Sequence, residues 1–155
     1  MQLRQAGPGD VPALTDLINR AFLVERFFVD SDRITQSQVE EFLGKGEFLV
    51  LADGGVLAGC VYVELRGERA YFGLLSIDPA RQRAGLGRRL VDAAEARARA
   101  SRCAYMDLQI VNVRAELPAI YGKLGYTETG TAPFPPEVPT RLPCHFVRMS
   151  KSLQP

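Results

Sequence analysis

Leu74-Leu75-Ser76-Ile77-Asp78-Pro79-Ala80-Arg81-Gln82-Arg83-Ala84-Gly85-Leu86-Gly87-Arg88-Arg89-Leu90 reads as a buried strand, a sharp polar turn and the opening of a helix. Leu74 to Ile77 is a short apolar run of strand type. Asp78-Pro79 stops it, because proline cannot continue a ladder and biases the residue before it toward extended geometry. Beyond Gly85, Leu86, Leu90, Val91, Ala94 and Ala98 recur at helical spacing, to about Ala100. A helix opened by glycines presents unpaired main-chain N–H groups, which with the helix dipole form an anion site. Gly85 and Gly87 carry no Cβ, so a diphosphate can come close to the backbone. Arg83 and Arg88 flank the turn with charged donors. The same residues would also suit a plain tight turn with solvated arginines, since a lone Gly-x-Gly is a weak signal.

Two other phosphate motifs are excluded. No Gly-x-x-x-x-Gly-Lys-Ser/Thr run exists, and the place of a third dinucleotide-fingerprint glycine is held by Leu90. What remains is Gln82-x-x-Gly85-x-Gly87 after a strand ending in Asp-Pro.

The rest of the chain supplies alternating elements. Gln2 to Gln5 reads as a first strand, and Gly7-Pro8-Gly9-Asp10 breaks it. Val11, Leu14, Leu17, Ile18, Ala21 and Phe22 follow helical spacing behind Asp10. Phe27 to Asp32 is an irregular link whose aromatics either line a cleft or pack on the core. Thr35 to Leu43 is a second helix, ended by Gly44. Phe48 to Ala52, the turn Asp53-Gly54-Gly55 and Val56 to Leu65 form a hairpin. Arg66 to Arg69 turns into strand Ala70 to Ile77. After the glycine-opened helix, Tyr105 to Val111 is a strand that lies parallel to the one before it. Ala115 to Leu124 is a short helix with Pro118 in its first turn and Gly125 just past its end. Tyr126 to Thr131 and His145 to Ser150 are strands around a proline-rich loop, Pro133 to Pro139.

At 155 residues the chain is expected to form a single domain, 1–155. A net charge of +1 gives no general field for nucleic acid or membrane, and Asp92 and Glu95 interrupt the arginines between 81 and 102. Three widely spaced cysteines support neither zinc nor a disulfide framework, which suits the reducing cytoplasm. The start lacks the apolar run of a signal peptide, and no stretch approaches a membrane span.

Gln82-x-x-Gly85-x-Gly87 resembles the acetyl-CoA pyrophosphate motif, Arg/Gln-x-x-Gly-x-Gly/Ala, of the GNAT superfamily of N-acetyltransferases. Leu3-Arg4-x-Ala6 with Asp10, the Asp53-Gly54 hairpin and Tyr121-Gly122-Lys123-Leu124-Gly125-Tyr126 are similar to further family elements. The order βααβββαβαββ implies the GNAT fold, an α/β (α+β) arrangement. Its central sheet is mixed and mostly antiparallel, with helices on both faces.

The resemblance implies a cofactor and a site. The diphosphate of acetyl-CoA falls to Gln82, Arg83, Ala84, Gly85, Leu86, Gly87 and Arg88. The pantetheine arm runs along Leu75, Ser76 and Ile77 like an added strand, in a slot where that strand and the Tyr105 strand splay apart. Asn112 is a further candidate cofactor contact. Tyr121 matches the tyrosine that protonates the leaving thiolate. In the branch that acetylates ribosomal-protein N-termini, a fifth-strand glutamate is the base. Gln109 holds that place here, and Arg114 replaces the asparagine before the tyrosine helix. The base therefore stays open among Glu64, Asp107, Asp78, a water chain and His145, the only histidine.

The function expected is N-acetyl transfer to a small amine, amino acid derivative or peptide N-terminus. The alternative is a non-catalytic acyl-CoA sensor or interaction module. No metal, nucleic acid or membrane partner is expected, and a homodimer is left open.

Overall fold

The computed structural model describes residues 1–82 and 84–155. Arg83, one of the expected diphosphate contacts, lies outside the described residues. Seven strands form one sheet in the order β1-β2-β3-β4-β5-β7-β6. They are β1 (Gln2–Gln5), β2 (Glu47–Asp53), β3 (Val56–Arg66), β4 (Arg69–Ile77), β5 (Tyr105–Val111), β6 (Thr127–Pro133) and β7 (His145–Ser152). Every pairing is antiparallel except β4 with β5, which follows a helical crossover as its sequence demands. The helices are α1 (Val11–Ala21), α2 (Gln36–Lys45), α3 (Leu86–Ala100) and α4 (Leu117–Lys123). Among the described residues no helix is long and apolar enough to cross a membrane.

Strand alternation sorts the core into two layers. On one face Val50, Cys60, Tyr62 and Leu74 pack beneath α1 and α2, against Leu14, Leu17, Ile18 and Val39. On the other, Leu51, Val61, Val63 and Phe72 pack beneath α3 and α4, against Leu86, Leu90, Ala94 and Tyr121. Gly59 lets α3 sit close, since a Cβ there would meet Leu90 Cδ1 at 2.9 Å.

The element order is the expected one, with three differences of detail. First, short 3-10 turns at Pro8–Asp10, Phe22–Glu25 and Pro79–Arg81 fill links between the longer elements. Second, α2 runs past Gly44 to Lys45 and is capped at Gly46. There the backbone is extended and passes so near the Val63 carbonyl that a Cβ would collide with it. Close approach, not a left-handed cap, sets that glycine. Third, Leu74 takes φ +53, a conformation leucine normally avoids. It sits in a bulge of β4: Tyr62 pairs with Gly73 and Cys60 with Ser76, so β4 carries one residue more than β3 over this interval.

Candidate active site

The slot in the sheet follows from pairing. β4 and β5 are laddered only from Arg69–Tyr71 against Tyr105–Asp107. Past that point β5 continues with β7 alone, through Val111. The β5-facing edge of Phe72 to Ile77 is thus an unpaired strand edge inside the sheet, a template for an extended ligand. The Leu74 bulge falls within it. Of the three residues expected to follow the ligand arm, Leu75 lines the cavity beside the slot. Ser76 is buried with its hydroxyl donating to the Leu74 carbonyl at 2.9 Å, so any contact it makes is through the main chain. Ile77 packs on the core.

At the end of this strand Asp78 caps a short turn, its carboxylate accepting from the Ala80 N–H at 3.0 Å. The chain then enters α3 through Gly85, which is left-handed at φ +74 and serves as N-cap without a side-chain bond. The Arg89 N–H bonds the Gly85 carbonyl, leaving the preceding amides of the first turn without helical partners. A Cβ placed at Gly85 or Gly87 would meet nothing within 4 Å, so the approach to those amides is open. No acidic residue occupies the first turn to neutralise the dipole. Gln82, Ala84 and Arg88 are exposed around it, whereas Leu86 is buried and anchors the helix on the core. These features fit a diphosphate group.

Beyond the slot lies a cavity of about 280 Å³, walled by the α1–α2 link, β4, β5, α4 and the loop before β7. Tyr121 lines it from α4, wedged against Phe72 and Tyr126 with ring centroids 6.1 and 6.2 Å away. Burial pushes the phenol pKa up to about 12, against the pull of Arg114. It therefore stays protonated, able to donate, throughout the neutral range.

Charge in the cavity comes from an unexpected place. Glu25, just after α1, accepts from Arg114 Nη1 at 3.0 Å, and both side chains are largely buried. Burial pushes the Glu25 carboxyl above the usual carboxylate range, and Arg114 offsets this only in part. Arg114 also holds Glu116 at 3.0 Å. Arg26 reaches the Asp30 carbonyl at 2.7 Å and Asp32 at 2.9 Å. Arg33 lines the same wall, its guanidinium 5.4 Å over the Phe22 ring.

The residues expected to take the acceptor's proton stand elsewhere. Glu64 accepts from Tyr62 Oη at 2.5 Å and from Arg66. Burial pushes Glu64 up, but these donors hold it below the usual range. Asp107 is gripped by both Arg69 donors at 2.7 Å and by Ser150, and these likewise outweigh burial. Asp78 is paired with Arg20 at 3.1 Å. His145 is exposed, and its N–H bonds the Asn112 side chain at 2.8 Å while the Asn112 N–H bonds its carbonyl. None of these, and not Asn112, lines the cavity. Gln109 does, two residues beyond Asp107 on the same strand. Phe28 and Phe134 also line it, while Phe27 points to solvent.

Sequence reasoning passed over Glu25 and Arg33. Their one signal was charge interleaved with aromatics in the link, Glu25-Arg26-Phe27-Phe28 and Arg33.

Comparison with known proteins adds a family. The model of the acetyltransferase (GNAT) domain matches residues 18–152. No curated protein matches the chain in sequence. Solved structures share the fold over nearly the whole chain. The ribosomal-protein-S18-alanine N-acetyltransferase of Escherichia coli superposes with TM-score 0.79 at 17% identity, covering 99% of this chain and 94% of that one. Ard1 from Thermoplasma volcanium gives 0.78 at 18%, covering 99% and 98%. The yncA acetyltransferase of Salmonella typhimurium, described with its cofactor acetyl-CoA, gives 0.72 at 22%, covering 99% and 94%.

Proposed function

The chain belongs to the GNAT acetyltransferase family, and from that membership we propose that it moves the acetyl group of acetyl-CoA directly onto the nitrogen of a small amine. One observation carries the reading: the unpaired inner edge of β4 and Tyr121 line one cavity, and the same strand runs on through a short turn into the glycine-opened start of α3. When bound, the coenzyme supplies a thioester, an acyl group on a good leaving thiolate.

The chain's residues divide the remaining work. Main-chain amides from Ala84 to Arg88 hold the diphosphate, assisted by the Gln82 and Arg88 side chains. The β4 edge from Leu75 to Ile77 aligns the arm as an added strand. Tyr121 donates its phenolic proton to the departing sulfur. Glu25 receives the acceptor amine's proton, directly or through one water. Among the described residues only Glu25 and Asp32 bring carboxylates to the cavity. Asp32 is largely exposed and tied to Arg26, whereas Glu25 is sheltered and has its pKa raised, which makes it the stronger base. This assignment replaces Glu64, Asp107 and His145, which do not line the cavity.

The cavity is at the small end for ligand pockets, which favours a compact acceptor over a long peptide. Free cysteines at Cys60, Cys103 and Cys144 suit a reducing compartment such as the cytoplasm. The test is thiol release from acetyl-CoA across a panel of amines, amino acids and short peptides. Acceptor-dependent release supports the reading. Tight coenzyme binding with no release on any acceptor would turn the protein into a binding module.

A further inference from the structure

Three guanidinium groups line the cavity, and their partners are unequally shared. Arg114 is matched by Glu25 and Glu116. Arg26 is matched by Asp32 and the Asp30 carbonyl. Arg33 has no hydrogen-bond or ion-pair partner among the described residues; its contact is the face of Phe22. The carboxylate whose charge reaches it, Glu25, is already engaged by Arg114 through Oε2. Arg33 is nonetheless reachable from solvent, so a ligand entering the cavity can meet it.

The main chain beside it is anchored. The Asn19 side chain donates to the Ile34 carbonyl and accepts from the Ile34 N–H, both at 3.0 Å, pinning the residue next in chain to α1. Ile34 is itself buried. Arg33 is an exposed guanidinium on the cavity wall with no partner of its own among the described residues, and a planar carboxylate arriving from outside can meet it with two parallel bonds.

We propose that Arg33 is the subsite for the carboxylate of the acceptor, so that the acceptor is a small amino acid with an apolar side chain. This rests on the acetyl-transfer reading above. In this arrangement the carboxylate meets Arg33, the amine faces Glu25, and the side chain lies among Phe28, Val29, Phe134 and Phe146. A peptide N-terminus lacks a carboxylate beside its amine and is disfavoured.

The test compares L-methionine and L-phenylalanine with their amides, which have the same side chains and no carboxylate. Wild-type kcat/KM should be at least about tenfold higher for the acids, and Arg33→Gln should erase that ratio while leaving acetyl-CoA affinity intact. The amides are the less basic amines and offer more free nitrogen at neutral pH, so the predicted preference runs against intrinsic reactivity. Arg33→Lys should restore part of it. Equal rates for acid and amide, or a preference that survives Arg33→Gln, would overturn the proposal. A turnover-independent arm uses calorimetry with N-acetyl-L-methionine and N-acetyl-L-methioninamide in the presence of coenzyme A. Arg33-dependent binding of the acid alone supports the subsite even if no transfer is seen, in which case the activity reading fails and the subsite stands. Equal or absent binding of both compounds overturns it.

Discussion

Arg114 Nη1 lies 3.0 Å from Glu25 Oε2, joining the end of α1 to the start of α4 across 89 residues of chain. Both residues line the cavity, and the bond engages one carboxylate oxygen; on the proposed reading the other faces the incoming amine. If Glu25 is the proton acceptor, Glu25→Gln keeps the shape and removes the base. Its kcat should fall by roughly a hundredfold with acetyl-CoA affinity unchanged. Steady-state thiol release together with calorimetry checks this, and full turnover in the variant would end the assignment.

The same pair sets a pH dependence. A base works only when deprotonated, so activity falls as pH drops through the Glu25 pKa. Burial raises that pKa and Arg114 lowers it. Arg114→Gln removes the opposing influence, so the acidic limb of the kcat/KM profile should move to higher pH. A limb that stays put, or moves to lower pH, argues that another group titrates.

Tyr121→Phe deletes the phenol without opening a void. The expected result is a fall in kcat on the order of a hundredfold with unchanged coenzyme affinity. Because the phenol titrates only at about 12, no alkaline limb below pH 10 should trace to it. Rates measured with and without the hydroxyl across pH 6 to 10 provide the comparison.

A buried polar cluster supports Tyr121 from behind. Glu95 accepts from Tyr126 Oη at 2.7 Å and from Lys151 Nζ at 2.9 Å, and the Tyr126 ring packs on Tyr121. Glu95→Ala strands a hydroxyl and an ammonium. It should cost about 3 kcal/mol, a Tm drop of roughly 10 °C for a chain of this size. Thermal unfolding that matches wild type would mean the cluster contributes little.

Much of this architecture was legible because its signals are local. The glycine pairs forecast turns, where Gly54 takes φ +62 and Gly85 φ +74, and Gly125 ends α4 as expected, at φ +100. Leu86, Leu90, Ala94 and Ala98 set the buried face of α3. The bulge at Leu74 was not legible, since nothing in a leucine signals positive φ. Nor were Glu25 and Arg33. They sit in a link without periodicity, and which of its charges turn inward depends on where β5 and α4 stand, something no local pattern encodes. Asp107 stands off the cavity for the converse reason. Alternation placed it beside Gln109, but β4 is still laddered to β5 at that level, and Arg69 closes over it.

The central claim is that main-chain amides at the start of α3 hold a diphosphate. Calorimetry comparing acetyl-CoA with S-acetylpantetheine, which keeps the thioester arm and lacks the diphosphate, reads it directly. One-to-one binding of acetyl-CoA, at least about a hundredfold tighter than the truncated thioester, is the predicted result. Equal affinity for the two, or no uptake of acetyl-CoA by folded protein, would contradict it.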